Sequence, residues 1–406
     1  MSSLPAEATA HAPPVGRATA ALVLALLLGL QPVTTDVYLP ALPMLTRALG
    51  APVSLAQLTM SALILAFGVA QMVWGPVADR IGRRPVLLTG LALYTAASAG
   101  CALAGSIETL VAWRIAQGAA MAAAVVCARA IVRDLYEPVA GAQVRALALT
   151  GLGFIALAGP LSGGLLAQAF GWRGPLALVT LVGALSLALI ALCLPETLVT
   201  KNPAATQWRS LLRTWAGIAR HRVFVAWTLL VACTYGGLFT VLASSSFVLM
   251  DVLGLSAAAY GGAMALGSLC YIAGTVACRR LIARHGMVAT VRRGSWFTLG
   301  AALVGVSMLA FEWHSVSGVL LVYGLFAFGH GHHQPCGQAG VVAPFPRNAG
   351  AASALAGLLL ALVAFGIGRW LGWALDGSVR PLLLGVAFWS LLTCTVAWTL
   401  VPRSAR

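Results

Sequence analysis

Apolar stretches of about 20 residues, the length of helix that crosses the hydrocarbon core of a bilayer, recur along this chain from Ala18 almost to its end. Only 9% of the residues are charged, whereas charged residues make up about 25% of an ordinary soluble domain. Short polar segments that contain most of the charge separate the apolar stretches. The sequence therefore predicts an all-α membrane protein that crosses the bilayer many times.

Twelve membrane spans are predicted. They cover residues 18–40, 54–76, 85–106, 109–132, 144–168, 173–195, 222–249, 256–278, 290–312, 316–341, 349–374 and 381–402. Residues 196–221 form the longest polar interruption, and Trp208 and Trp215 within it predict a short amphipathic helix at the membrane surface. The predicted organisation is a tail at 1–17, an N-terminal six-helix bundle at 18–195, a linker at 196–221 and a C-terminal six-helix bundle at 222–406.

The basic residues indicate how the chain is oriented. Of the 25 lysines and arginines, 20 are predicted on the side of the membrane that holds the N-terminus. The five others are Arg47, Arg114, Arg173, Arg369 and Arg380. Because cytoplasmic loops carry an excess of basic residues, both termini, the tail and the linker are predicted in the cytoplasm. The net charge of +15 does not indicate nucleic-acid binding, since no soluble domain is left to form a basic groove.

Two charged residues lie inside predicted spans of the first half at similar depth. Asp36 is about four residues from the outer end of span 1 and Arg114 about five residues into span 4, or roughly 6 and 7.5 Å from the same face at 1.5 Å per residue. A buried ion pair is therefore feasible. Burial favours a neutral carboxyl group and a nearby arginine favours its anion, so movement of Arg114 or of a cationic substrate could switch the proton. The alternatives are that Asp36 lies in outer-face water and that Arg114 snorkels to the interface.

A polar stripe of span 4 is predicted to face a cavity. Gln117, Met121 and Val125 follow Arg114 at helical spacing, which puts these side chains on one face. Together with Tyr38 of span 1, Gln117 and Met121 are candidate cavity residues.

Span 10 contains an unusual polar segment, GHGHHQPCGQ, with His330, His332 and His333 near mid-membrane. Histidine can bind metal or carry protons near neutral pH, but these three do not share a helical face. His330 could point together with His333 or with Gln334. They could be neutral cavity groups, proton or substrate groups, or metal ligands. The eight cysteines are scattered and form no CxxC pair, so free thiols are expected and neither a metal site nor a cofactor is predicted.

The loop between spans 2 and 3 reads GPVADRIGRR from Gly75 to Arg84. Glycine permits a tight turn, and the carboxylate of Asp79 can accept hydrogen bonds from the N-terminus of a helix. Arg83 could pair with Asp134 at the end of span 4. The alternative is that the arginines of this loop only fix the topology. In span 5, Pro160 interrupts the ladder of backbone hydrogen bonds, and Gly159, Gly163 and Gly164 allow bending and close helix contact.

The loop between spans 2 and 3 resembles the signature loop of the major facilitator superfamily, G-x-x-x-D-R-x-G-R-R. The matching residues are Gly75, Asp79, Arg80, Gly82, Arg83 and Arg84. GTVACR at 274–279 repeats GPVADR at 75–80 after the second span of the other half, which fits two parallel six-helix repeats. The resemblance implies that Asp79 binds the start of helix 11 near Asn348. The loop and Asp134 would then latch the two halves together on the inner side.

The segments TTDVYLPALP, ARAIVRDLY and LPET narrow the resemblance to the Bcr/CflA group of drug:proton antiporters. This group implies a monomer of the bacterial inner membrane that exports antibiotics such as bicyclomycin, phenicols or sulphonamides. Span 5 is similar to the antiporter motif G-x-x-x-G-P-x-x-G-G, with Ile155 in place of the first glycine. In the family this motif bends helix 5 and packs it against helix 8.

The function predicted is proton-coupled export of small hydrophobic or amphiphilic compounds, with no enzymatic activity. The predicted partners are the small-molecule substrate, protons and the lipid bilayer. A rival within transporters is a specific carrier of an endogenous organic solute, in which Arg114 would hold a substrate carboxylate. A membrane enzyme could use the span 10 histidines as a general base, but it needs a nucleophile or a metal partner, and none converges on them in the sequence.

Overall fold

The computed structural model describes residues 17–136 and 138–404, in which all regular structure is helical. Twelve long helices cover Arg17–Asp36 (α1), Val53–Ile81 (α2), Arg83–Leu103 (α3), Ile107–Leu135 (α4), Pro138–Phe170 (α5), Arg173–Cys193 (α6), Arg222–Ser246 (α7), 257–285 (α8), 287–310 (α9), Val316–Val342 (α10), Ala349–Ala374 (α11) and Arg380–Ser404 (α12). The predicted fold class, an all-α membrane protein with twelve helices, is confirmed. The predicted tail 1–17 lies outside the described residues except for Arg17.

Helices α8 and α9 follow each other without a connecting loop. Ala257–Ala310 is continuous except at Gly286, whose φ of 74° and ψ of 172° break the helix. This φ lies in the region that glycine enters without steric cost, so the hairpin depends on the absence of a side chain there. The two predicted spans, 256–278 and 290–312, therefore continue into each other.

Ten helical segments within the described residues are long and apolar enough to cross a membrane. One of them, Ala257–Ala310, contains both α8 and α9. Helix α10 is long enough but is not among the ten, because its three histidines lower its mean hydropathy. The sequence nevertheless predicted a span at 316–341, and the structure contains α10 there.

The end of α1 differs from the predicted span 18–40. Helix α1 ends at Asp36, and the chain continues through a 3-10 turn at Leu39–Ala41 into a short helix at Leu42–Ala48. Pro40 and Pro43 cannot donate backbone hydrogen bonds to a preceding turn, which explains why the long helix does not continue. Asp36 is consequently the last residue of α1 instead of lying a turn inside it.

The long helices alternate in direction, which gives the molecule two faces. The terminal face is defined here as the one where α1 begins and α12 ends, and the opposite face as the one that holds the turn after Asp36. Which face is cytoplasmic stays a prediction. On the terminal face, the segment 196–221 contains the predicted short helix, Trp208–Ala219. Its Ile218 is buried in an apolar cluster with Phe224 and Ala352.

The two six-helix bundles meet along two pairs of helices, α2 with α11 and α5 with α8. Along α2, a Cβ atom added at Gly368 or Gly357 of α11 would meet Ser61 or Gln71. At the opposite face, Arg47 Nη1 lies 2.6 Å from Asp251 Oδ1, and Gln57 Nε2 donates to the Ala243 carbonyl at 2.5 Å. The bundles are therefore joined firmly at the opposite face.

Candidate functional site

Arg114, on α4, is completely buried inside the N-terminal bundle. Its Cζ lies 3.6 Å from the centre of the Tyr38 ring. Nη1 donates to Gln117 Oε1 at 2.8 Å and more weakly to the Thr34 carbonyl at 3.4 Å. Such a cation over an aromatic face is attracted by the ring quadrupole. A ring and two oxygens thus hold the guanidinium, and none of these groups is a carboxylate.

The guanidinium retains unused hydrogen-bonding capacity. Nε and Nη2 of Arg114 have no hydrogen-bond partner among the described residues. The described residues form three ion pairs, and Arg114 takes part in none of them. An unpaired buried donor costs about 1–3 kcal/mol, and more when it is charged. This site is therefore poised to bind an acceptor, either a carboxylate or a polar group of a ligand.

A network of hydroxyl and amide groups fixes the surroundings of Arg114. Gln117 Nε2 donates to Ser98 Oγ at 2.7 Å, and Tyr38 OH lies 2.8 Å from Thr59 Oγ1. Thr34 Oγ1 lies 2.5 Å from Tyr94 OH. The network draws on α1, α2, α3 and α4, so it ties together most of one bundle. Sequence reasoning missed Ser98, Thr59 and Tyr94; their signal was the polar character of single residues within apolar spans.

The ion pair predicted between Asp36 and Arg114 is absent from the described residues. Arg114 is contacted by the backbone carbonyl of Thr34 and by the ring of Tyr38, which lies beyond the end of α1. The side chain of Asp36, the last residue of α1, is directed toward α5 instead. It accepts a hydrogen bond from Thr35 Oγ1 at 2.7 Å, and Gly159 of α5 lies beside its Cβ. Similar depth in the membrane therefore did not bring the two side chains into contact.

The other predicted cavity residues of the N-terminal bundle are buried. Tyr38, Gln117 and Met121 are fully inaccessible, and Val125 is nearly so. The stripe is therefore enclosed in this structure, with Tyr38 and Gln117 in direct contact with Arg114. Their part in binding substrate stays a prediction.

The α10 histidines turn toward different neighbours. His330 Nδ1 lies 2.9 Å from Thr234 Oγ1 of α7, and the ring stacks on Phe326. His332 Nδ1 lies 2.9 Å from the Phe328 carbonyl. The described residues contain no group of three His, Cys, Asp or Glu side chains that could hold a metal ion. The metal interpretation of this segment therefore has no geometric support.

His333 and Gln334 retain unused polar atoms. His333 Nε2 lies 3.2 Å from Ser295 Oγ of α9, whereas Nδ1 has no partner among the described residues. Gln334 Oε1 likewise has none. His330 and His333 contact α7 and α9 respectively, so the predicted common direction of these two rings is not observed. Both remain candidates for polar contacts with a ligand.

The predicted ion pair of the loop between α2 and α3 is present. Arg83 Nε lies 3.0 Å from Asp134 Oδ2, and Arg83 Nη1 lies 2.6 Å from Asp79 Oδ1. Arg80 Nη1 donates to Thr206 Oγ1 at 2.8 Å, and the backbone N–H of Asn202 donates to the backbone carbonyl of Asp79 at 2.9 Å. The loop therefore binds α4 and the linker. Its function as a latch stays a prediction.

The predicted contact of Asp79 with the start of α11 is not formed. Among the described residues, no hydrogen bond joins Asp79 to Asn348 or to α11. Asp79 is instead paired with Arg83, four residues later at the start of α3. A Cβ atom added at Gly350, the first glycine of α11, would meet nothing within 4 Å. The bundles are thus not joined through Asp79 at the terminal face.

Sequence reasoning missed Glu196, which organises the same loop. Its carboxylate accepts backbone hydrogen bonds from Arg83 and Arg84, at 2.9 and 3.2 Å, and so caps the N-terminus of α3. In return, Arg84 Nε donates to the Leu194 carbonyl at the end of α6 at 2.9 Å. A cation there also suits the negative end of the helix dipole. The signal in the sequence was a single carboxylate, in LPET, directly after span 6.

The position of the Glu196 carboxylate leaves no room for a side chain at Gly82. Gly82 has a φ of 120°, and a Cβ atom on it would collide with Glu196 Oε2. Gly75, by contrast, would bring a Cβ only into ordinary contact with Val126 of α4. Of the two motif glycines, Gly82 is therefore the one that admits no side chain.

Glu196→Gln is expected to lower stability by about 1 kcal/mol, the usual value of a helix N-cap. Partial burial acts to raise the pKa of Glu196, but four backbone N–H groups outweigh it and hold the pKa below the usual 4.5. The stabilisation is therefore complete above pH 4.5 and is lost as the pH falls through the lower pKa of the folded protein. Thermal unfolding in detergent should show a difference between wild type and variant that shrinks below pH 4.5. A pH-independent difference would contradict this assignment.

The glycines of α5 bring the two bundles into backbone contact. A Cβ atom at Gly164 would collide with the Ala257 carbonyl of α8, and one at Gly261 of α8 would collide with the Pro160 carbonyl. Ser268 Oγ of α8 also donates to the Ala156 carbonyl at 3.1 Å. The close packing of α5 against α8 that the motif implied is therefore present. On its other side, Gly163 touches the backbone of Val37, next to Asp36.

Comparison with known proteins gives a family match over most of the chain. The model of the Major Facilitator Superfamily matches residues 24–368. The human organic anion transporter MFSD10 has a similar fold, with a TM-score of 0.69 over 95% of this chain and 99% of that one, at 22% identity.

Three bacterial proteins show the likeness in sequence. The uncharacterized MFS-type transporter YdgK of Bacillus subtilis is 32% identical over 260 residues, which are 63% of this chain and 65% of that protein. The chloramphenicol resistance protein of Pseudomonas aeruginosa is 29% identical over 90% of this chain and 82% of that protein. The multidrug resistance protein D of Escherichia coli is 29% identical over 83% of this chain and 84% of that protein.

Proposed function

Because this chain belongs to the Major Facilitator Superfamily, we propose that it exports small hydrophobic or amphiphilic compounds, antibiotics among them, in exchange for protons. Two of its relatives are named for chloramphenicol and multidrug resistance, and the sequence resembles the Bcr/CflA group of antiporters. The protein would act as a monomer in the inner membrane, with the terminal face in the cytoplasm. The observation that carries the proposal is Arg114, a buried cation that pairs with no carboxylate in the part of the chain that the structure describes.

The polar groups near Arg114 and on α10 suit loose recognition of a mostly apolar ligand. A binding pocket for such a compound is largely apolar and contains a few polar groups that fix its orientation. The unpaired N–H groups of Arg114, His333 Nδ1 and Gln334 Oε1 offer one kind of donor and two possible acceptors. Arg114 lies on α4 and the other two residues lie on α10, so these groups belong to different bundles. The contacts of a ligand bound to both bundles would change when the bundles move relative to each other.

Proton exchange would take place at Asp36. A neutral carboxyl group needs no cation beside it, so the separation of Asp36 from Arg114 suits the proton-loaded form. A conformation that brings Arg114 or a cationic substrate toward Asp36 would favour the anion and release the proton. Because Asp36 lies beside Gly159 of α5, rearrangement of α5 against α8 would alter its surroundings. Proton release is thereby linked to the contact between the bundles.

Alternating access would follow from the uneven contacts at the two faces. The pairs Arg47–Asp251 and Gln57–Ala243 join the bundles at the opposite face, while among the described residues no hydrogen bond or ion pair joins Asp79 to α11 at the terminal face. We infer that this arrangement faces the cytoplasm and that an Asp79–α11 contact forms when the protein turns outward. The loop Gly75–Arg84 would then act as the inner latch.

Asp36→Asn is expected to abolish drug-dependent proton release from proteoliposomes, because the amide cannot exchange a proton at this site. A pH-sensitive dye would follow the release during addition of chloramphenicol. The control is Asp376→Asn, which removes an exposed carboxylate bonded only within its own loop, to Ser378. Unchanged proton release in Asp36→Asn would refute the coupling scheme.

A specific carrier of an organic acid is the second candidate. The unpaired Nε and Nη2 of Arg114 could bind a substrate carboxylate in a bidentate manner. The two functions separate in a pump-deficient host that expresses the wild type: resistance to several unrelated uncharged drugs supports export. Resistance to no drug in the panel, together with uptake or release of a carboxylate by proteoliposomes, would favour the dedicated carrier.

A further inference from the structure

A groove of about 410 Å³ opens between α9 and α12 near the terminal face, far from Arg114. It is lined by Ala289, Arg292, Arg293, Trp296 and Trp398. Arg292 and Arg293 follow Ala289 by three and four positions and precede Trp296 by four and three, so the four α9 side chains cover one side of the helix. The groove thus combines two guanidinium groups with two indole rings on neighbouring helices.

The two tryptophan rings of the groove are held in a defined arrangement. The rings of Trp296 and Trp398 lie 5.1 Å apart at an interplanar angle of 49°. Trp398 Nε1 donates to the Arg292 carbonyl at 3.2 Å, which fixes the position of α12 against α9. Trp296 nevertheless remains about two-thirds exposed. Tryptophans that are apolar on one side and polar on the other are enriched at the level of lipid headgroups.

The positive charge of the groove is not neutralised by protein. Arg292 and Arg293 are exposed and take part in none of the ion pairs between described residues. Residues 257–310 and 380–406 contain no aspartate or glutamate, so neither of the two helices supplies a counter-charge. Arginine binds phosphate oxygens through charge-assisted, often bidentate hydrogen bonds. An anion with phosphate-like oxygens is the chemical complement of this site.

Apolar side chains continue from the groove along both helices. Leu303 and Val306 of α9 are exposed, as are Leu391 and Leu384 of α12. Leu303 is seven residues from Trp296, and Leu391 is seven residues from Trp398, which places each pair on the same side of its helix. A phospholipid would match this arrangement of a basic groove beside apolar side chains, with its phosphate in the groove and its acyl chains along the leucines. A water-soluble phosphate would leave the apolar part uncovered.

We propose that the groove between α9 and α12 is a binding site for the phosphate-containing headgroup of an anionic phospholipid. Basic pockets between transmembrane helices are a known mode of headgroup recognition. The groove residues are not among those proposed for export, so lipid binding there does not depend on what the protein transports.

Binding of dioleoyl phosphatidylglycerol to the full-length protein in detergent tests the proposal. Native mass spectrometry would measure its affinity against dioleoyl phosphatidylcholine. The double variant Arg292→Gln/Arg293→Gln should weaken phosphatidylglycerol binding by roughly tenfold or more, since each arginine near anionic lipid contributes about 1 kcal/mol. The matched control is Arg279→Gln/Arg280→Gln, two adjacent exposed arginines of α8 outside the groove. It should change the affinity less than about twofold.

Three results would overturn the proposal: equal weakening in the two double variants, no preference for phosphatidylglycerol over phosphatidylcholine, or displacement of the lipid by millimolar inorganic phosphate. The last would identify a free anion as the ligand. A second readout does not depend on charge removal. Trp296→Phe should reduce the quenching of tryptophan fluorescence by brominated phosphatidylglycerol, whereas Trp313→Phe, an exposed tryptophan of the opposite face, should not reduce it to the same extent.

Discussion

Arg114→Met is expected to reduce drug export by about tenfold to a hundredfold, which corresponds to the 1.5–3 kcal/mol of a hydrogen bond to a charged group. The unfolding temperature should stay the same or rise. The reason is that the wild-type side chain is fully buried with two N–H groups unpaired, and an unpaired buried charge opposes folding. Methionine fills a similar volume without this cost, although Gln117 loses one partner.

The measurements are drug susceptibility in a pump-deficient host and thermal unfolding of the purified protein. Arg173 provides the matched control, because its Cζ lies 4.1 Å from the centre of the Trp172 ring, much as Arg114 lies over Tyr38. Arg173 also donates to the carbonyls of Ala102 and Ala104 at the end of α3. Arg173→Met should therefore lower stability and leave export intact. If Arg114→Met exports normally, Arg114 has no part in the transport cycle.

Gly261→Val is expected to prevent the bundles from closing at the opposite face. Its side chain would have to occupy the space of the Pro160 carbonyl of α5. Overpacking of a close contact costs about 1–3 kcal/mol, enough to shift a conformational equilibrium by roughly tenfold. Transport should fall accordingly, because one of the two conformations becomes rare. Gly262→Val is the control, since a Cβ atom there meets nothing within 4 Å.

Spin labels at Ala48→Cys and Val252→Cys, which are adjacent to Arg47 and Asp251 and leave the ion pair intact, would measure the distance between the bundles at this face in a background without the exposed Cys193. In the parent and in the Gly262→Val background, the short distance that corresponds to the Arg47–Asp251 contact should predominate. In the Gly261→Val background, its population should fall in favour of longer distances. Identical distance distributions in the two backgrounds would show that the α5–α8 contact does not control closure.

The helices could be predicted from the sequence because apolar length and charge depend on local composition. The Arg83–Asp134 pair was also predictable, since both residues lie at helix ends on one face of one bundle. The partners of Arg114 were not, because depth in the membrane says nothing about the rotation of a helix around its axis. The rotation of α1 directs the Asp36 side chain toward α5, while the Thr34 carbonyl and the Tyr38 ring beyond the helix end face Arg114.

Contacts between the bundles were still harder to predict. The partner of Asp79 depends on how far apart the bundles lie at the terminal face, and no residue pattern within one helix encodes that separation. Glu196 was overlooked for a different reason. Its partners are backbone N–H groups of a helix more than a hundred residues away, which leave no mark on side-chain spacing.

The linker has a mechanical consequence for any movement of the two halves. One end is held on the N-terminal bundle by the Asn202–Asp79 and Arg80–Thr206 hydrogen bonds, and the other is held on the C-terminal bundle by buried Ile218. Between them lies mainly the helix Trp208–Ala219, about 18 Å long at 1.5 Å per residue. This helix packs on α11 and α7 of the C-terminal bundle, so it would move with that bundle. Any displacement of one half against the other would then be taken up by the short stretch between Thr206 and Trp208, next to the loop between α2 and α3.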